Sequence, residues 1–213
     1  MKKSAKMLLL CFIFFLTGCT VVRIDTQSVD NTINVVLSKN NQLYNRVGKG
    51  YKYYVPRGVN YIDTNELNEK LYSNGTHYYL YIDAISYYHK SKFSFQPNPK
   101  AYYSRKININ GKEGYIEITE KEGKYYIEFI YNYAKIEAFV DEEDINETVL
   151  NASYILSTVK FNNNVIKLML NENYLTNKEE KYDIFETQDT ENNVYLEYDK
   201  DNETSDQKIE NEK

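Results

Sequence analysis

The chain has 213 residues, 42% hydrophobic and 27% charged, which is enough to build one globular core and too short for two comfortable ones, and excludes a wholly disordered protein. Two cysteines exclude a disulfide scaffold, and no apolar run approaches the 20 or so residues of a spanning helix in the processed chain. Without the first 18 residues, which carry three lysines and no acid, 23 basic side chains face 31 acidic ones, a net charge of −8 with no footprint for DNA or RNA.

Usage is skewed, with 22 Lys against 4 Arg, 25 Asn, 23 Tyr and no Trp. Codons rich in A and T produce that pattern, so tyrosine abundance alone does not signal a ligand.

Residues 1–18 read as a secretory signal: basic Lys2, Lys3 and Lys6, then an apolar run of ten residues from Met7 to Leu16. The run is half the length of a stable membrane helix, so it is a leader and not an anchor. Leu16-Thr17-Gly18-Cys19 then resembles the bacterial lipobox, in which a branched apolar residue and two small ones precede a cysteine. That resemblance implies cleavage before Cys19 and a diacylglyceryl group on its thiol, the nucleophile that accepts the lipid. Two acyl chains hold a protein stably on a bilayer, at about 0.8 kcal/mol per buried methylene. Cys11 leaves with the leader and Cys19 is capped, so thiol catalysis, disulfides and cysteine metal sites are not expected.

Residues 19–27 form a short lipidated tether, and residues 28–198 a single α+β domain. Ser28 is placed to cap a helix over 29–38 with Ile33, Val36 and Leu37 on one face, although isoleucine and valine also favour a strand there. Tyr51–Val55 reads as a strand closed by Pro56 and Gly58. A short helix is expected at 64–72, because Asp63 and Glu66 have the spacing of a capping box and Asn74-Gly75 supplies a stop. Residues 77–89 read as one long central strand with Asp83 as the single charge to be justified. Strands at 101–109, 112–119, 124–131 and 134–140 follow as an antiparallel meander, the first pair joined by Asn110-Gly111. A helix over 144–160 carries the apolar face Ile145, Val149, Ala152, Ile155, Leu156 and Val159, with Asn151 on its exposed side. Val165–Leu170 is apolar and of undecided type, and Val194–Tyr198 is a candidate returning strand. Residues 199–213 hold six acids, three lysines and one aliphatic side chain, Ile209, and read as a disordered acidic tail.

The expected architecture is an antiparallel sheet of five to six strands flanked by an N-terminal helix and a long C-terminal helix. This order, with Val55-Pro56-Arg57-Gly58 after the first strand and Ile155-Leu156-Ser157-Thr158-Val159 in the closing helix, resembles the PsbP-like α/β/α sandwich over residues 28–165. The family includes the extrinsic photosystem II subunit and many small bacterial extracytoplasmic proteins. The resemblance implies a non-enzymatic binding or assembly module and assigns no ligand residues.

His77 and His89 fall at opposite ends of the expected strand, about 40 Å apart, so no shared metal or substrate is expected. Asp141-Glu142-Glu143-Asp144 reads as acids at a helix N-terminus, with cation binding as the alternative. Tyr79, Tyr81 and Tyr87 with Asp83 form the candidate ligand face, offering flat rings with polar tips to a sugar or peptide; core packing under a helix is the competing reading. No catalytic residue, metal or cofactor is expected. The functional expectation is a lipid-anchored module on the extracytoplasmic face of a bacterial membrane, held by Cys19 and acting on a protein partner in the envelope. The rival readings are an envelope hydrolase, for which no nucleophile–base constellation appears, and a structural or adhesin-like surface protein.

Overall fold

The computed structural model describes residues 29–171; the leader, Cys19, the tether, Val194–Tyr198 and the acidic tail lie outside the described residues. Helix α1 (Val29–Ser38) forms as its spacing predicts, burying Ile33, Val36 and Leu37 together with Thr32. Two short strands, β1 (Arg46–Val47) and β2 (Tyr51–Tyr53), make a small hairpin. Next come β3 (Asn60–Asn65), β4 (Asn68–Ser73), β5 (Thr76–Ile82) and helix α2 (Ala84–His89). The meander β6 (Tyr103–Ile109), β7 (Lys112–Lys121), β8 (Lys124–Tyr131) and β9 (Ala134–Val140) follows. A 3₁₀ turn at Glu142–Asp144 leads into α3 (Ile145–Thr158), and β10 (Lys160–Phe161) and α4 (Asn163–Asn171) complete the described chain.

The fold is α+β, with one wholly antiparallel sheet in the order β3-β4-β5-β9-β8-β7-β6 and a small sheet β1-β2-β10. The large sheet has seven strands where five to six were expected. The extra strands come from residues 60–73, where the expected helix at 64–72 is instead the hairpin β3–β4. Asn74-Gly75 is its exit turn, with both residues at positive φ (45° and 86°), the geometry that joins antiparallel strands through two residues. The expected strand at 77–89 ends at Ile82. Asp83 accepts a hydrogen bond from the Ser86 amide at 2.9 Å and caps α2, which accounts for the charge at that position.

Alternation along the strands sorts the sheet into two faces. Tyr78, Leu80 and Ile82 of β5 pair with Ala138, Ile136 and Ala134 of β9, and these with Ile127, Phe129 and Tyr131 of β8; all are buried. Both α1 and α3 cover this face. Arg105 of β6 binds Asp30 (2.7 Å) and Asn34 (2.7 Å) of α1, while Asn151 of α3 donates to the Tyr78 hydroxyl at 3.2 Å. Asn151 is therefore buried and not on an exposed side. The opposite face carries Glu117, Glu128 and Glu137 directly across three strands, an arrangement that repels unless paired. Tyr115 donates to Glu128, Tyr126 to Glu137 at 2.6 Å, Ser104 to Glu117 at 3.1 Å, and buried Lys135 sits 3.1 Å from Glu137. Phe93 and Phe95, from the loop after α2, stack on Tyr115 and cover one end of this face.

Helix α3 closes the main core through Val149, Ala152, Ile155 and Leu156, all fully buried. Ile155→Ala leaves a cavity under this helix and is expected to cost about 2–5 kcal/mol of unfolding free energy in urea titrations. Exposed Glu143→Ala should stay within about 0.5 kcal/mol of the parent.

Candidate functional site

A cleft of about 1020 Å³ lies between the small sheet, the β3–β4 turn and α4. Its shape starts with glycine. A Cβ at Gly48 would lie 2.2 Å from the ring of Tyr51, so only glycine lets the β1–β2 turn close over that ring. Gly50, at φ +83°, brings its carbonyl to the Asn162 amide (2.8 Å) and its α-carbon against Ile166, fixing α4 to the hairpin. The strand β10 pairs with β2 so that Phe161 lies opposite Tyr51 and Lys160 opposite Lys52. Phe161 also stacks on Tyr87, 3.8 Å between ring centres, which ties α2 to the same wall.

Tyr51, which lines the cleft, is held from behind by a buried carboxylate. Glu69 of β4 is 2% exposed and accepts hydrogen bonds from the hydroxyls of both Tyr51 and Tyr53. Burial, and then the charge on Glu69, push both phenols far above their usual range, so they stay neutral donors and are not nucleophiles. The guanidinium of Arg46 lies 3.6 Å from the ring centre of Tyr61, beside this cluster.

The rim is basic and the walls are apolar. Lys49, Lys52 and Lys160 line it together with Val47, Leu67, Phe161, Val165 and Met169, and Glu66 is the one acid among the described lining residues. Lys52 and Lys160 are directly opposite across two strands; the Lys52 ammonium lies 4.0 Å from the ring centre of Tyr44, and Lys160 donates to Gln42. Nearby Lys112 is held below its ordinary value by burial first and by the charge of Lys160 second. Ammonium, amide and apolar side chains together are the chemistry that complements an anionic group attached to apolar ones.

The sequence-predicted ligand residues do not share one strand face. Tyr79 and Tyr81 lie on the far side of β5 and are nearly buried, Asp83 caps α2, and Tyr87 belongs to that helix. His77 is on β5 with Tyr79, and exposed His89 ends α2. Asp141 approaches Lys124 at 3.5 Å, and no group of three or more metal-ligating side chains occurs among the described residues. Sequence reading passed over Lys49, Lys52, Glu69 and Lys160. Gly48-Lys49-Gly50 was legible only as a turn, and the signal for Glu69 was a charge flanked by Leu67 and Leu71 at a strand's two-residue period.

No family model and no curated protein matches the chain, so its chemistry is read from its own geometry.

Two outcomes test the buried cluster. Glu69→Ala leaves two buried hydroxyls without their acceptor and is expected to lower stability by about 2–5 kcal/mol, whereas a loss below about 0.5 kcal/mol would show that the cluster holds nothing together. In alkali the sign is set by the raised phenols. Above about pH 10 the unfolded chain releases tyrosine protons that Tyr51, Tyr53 and Tyr115 retain when folded. Stability is therefore full below about pH 10 and falls as pH rises beyond it. Thermal midpoints recorded across that range should drop with pH, and the drop should be shallower in Tyr51→Phe; an identical slope would count against the assignment.

Proposed function

We propose that the chain is a lipid-anchored bacterial lipoprotein of the extracytoplasmic membrane face, and that its domain is a non-enzymatic binding or assembly module of the cell envelope using the basic cleft as its binding place. The observation that carries the first half is Leu16-Thr17-Gly18-Cys19 directly after a basic and apolar leader. From Cys19 to the start of α1 at Val29 there are ten steps of chain, at most about 35 Å. A lipid on Cys19 would thus keep the domain against the bilayer, within reach of other envelope proteins.

What lines the cleft supports the second half. Lysines, asparagines and apolar walls select a ligand by charge and shape, and the tyrosines beneath them are neutral and engaged with Glu69. The order of an N-terminal helix, an antiparallel meander and a long closing helix supports a PsbP-like sandwich as the fold family. The β3–β4 hairpin is the feature by which this chain departs from the expected order.

Membrane fractionation and intact-mass measurement test the anchor. The wild-type chain should sediment with membranes and carry the mass of a diacylglyceryl group on a mature N-terminus at Cys19. Cys19→Ser should appear as an unprocessed precursor or a soluble secreted form. A mature wild-type chain without lipid mass would overturn the reading.

A further inference from the structure

The charge of the chain is unevenly divided. Residues 29–171 hold 17 basic and 16 acidic side chains, a net charge of +1, whereas residues 172–213 hold 14 acids and five lysines, a net charge of −9. Almost all of the negative charge follows α4, and α4 forms a wall of the cleft through Val165 and Met169. The cleft presents Lys49, Lys52 and Lys160 against a single Glu66, with Lys52 and Lys160 forced opposite each other across β2 and β10. Three ammonium groups on one rim attract an anion placed above or between them.

Within residues 172–213 one short stretch combines acids with a branched aliphatic and two aromatic side chains close to α4: Tyr182-Asp183-Ile184-Phe185-Glu186. Taking the cleft as the binding place proposed above, we infer that it is a peptide site for an acid-flanked apolar segment and that its resident occupant is Tyr182–Glu186 of the same chain. The ten residues between Asn171 and Tyr182 span up to about 35 Å, and Met169, two residues before the end of α4, already lines the cleft. Five extended residues cover about 17 Å, and about 1020 Å³ is at the upper end of what ligand pockets offer. Attachment through a short linker supplies an effective concentration of order millimolar, so modest contacts suffice. Ile184 and Phe185 are matched to the apolar walls at Val47, Leu67 and Val165, and Asp183 and Glu186 to the lysines of the rim. The later Val194–Tyr198 has similar chemistry on a linker more than twice as long, which lowers its effective concentration. An external partner carrying an acidic, aromatic segment would bind by displacing this one.

Zero-length crosslinking of the full chain with a water-soluble carbodiimide reads the contact directly, because it joins only carboxylates and amines that touch. Peptide mapping should find amides from Asp183 or Glu186 to Lys49, Lys52 or Lys160. Their yield should fall at least fivefold in the double variant Ile184→Ser, Phe185→Ser, which keeps every charge and lies outside the folded elements described above. A synthetic peptide of residues 180–188 in excess should compete them away, and a scrambled peptide should not. Crosslinks spread evenly over the acids after residue 171, or unaffected by the double variant, would mean charge attraction without a site and would overturn the inference. So would a pattern dominated by Glu197 or Asp199, or the absence of crosslinks to these three lysines. The same pattern is expected in Cys19→Ser, so failure of docking and failure of the lipid anchor are read separately.

Discussion

A glutamate inside the core organises this fold. Glu69 projects from β4 toward the helix-covered side of the large sheet, where an unpartnered carboxylate would be too costly to keep. Two hydroxyls from β2 resolve that problem at once, and in doing so they join the small sheet to the large one. Because Tyr51 must reach Glu69, its ring passes under Gly48 and becomes the floor of the cleft. The position of the lysine-bearing strands, and hence the like-charge pair Lys52–Lys160, follows from the same two bonds. The bond network that stabilises the domain therefore also shapes the cleft.

The two faces of the large sheet are stabilised by different physics. Toward α1 and α3 the contacts are apolar and close-packed, and polar groups that enter are paired, Asn151 with Tyr78 and Glu69 with Tyr51 and Tyr53. On the other side three glutamates stand in register, each met by a hydroxyl or ammonium group. Tyrosine suits that role, since its ring covers apolar sheet surface while its hydroxyl reaches a carboxylate. The high tyrosine content thus has structural work in this domain, whatever codon usage contributed to it.

Much of the architecture was legible where pattern and physics agree. Helices α1 and α3, the four-strand meander and the Asn110-Gly111 turn follow from apolar spacing and left-handed turn residues, and the structure places them at the expected positions. The helix expected at 64–72 rests on the capping-box spacing of Asp63 and Glu66 and on Asn74-Gly75 as a stop, but Glu66 and Asn74-Gly75 serve hairpin turns at positive φ instead, and a pattern that assigns charges to solvent leaves no buried place for Glu69. Asp83 was recognised as a residue needing a reason, but its capping of α2 depends on the chain turning there, where its amide meets the carbonyl of Tyr133 across the sheet at 2.9 Å. The cleft was not legible at all. Its lysines are brought together by pairing between β2 and β10, more than a hundred residues apart in the chain, and no local spacing encodes that.

The pairing of β5 with β9 has a kinetic meaning. On one side of it lies a meander of neighbouring strands, β3-β4-β5, and on the other β6-β7-β8-β9, each closed by short turns that form within microseconds. The two are joined along the β5–β9 ladder, from Tyr78–Ala138 to Ile82–Ala134, and the connection between them is residues 83–102, which contain α2. Loop closure of that length costs entropy that neither meander can offset alone, and topology of this kind sets folding speed. The chain is therefore built as two quickly formed halves with one slow seam, and α3, which follows β9 and covers both strands of the seam, is in place to close it only after the second half has been made.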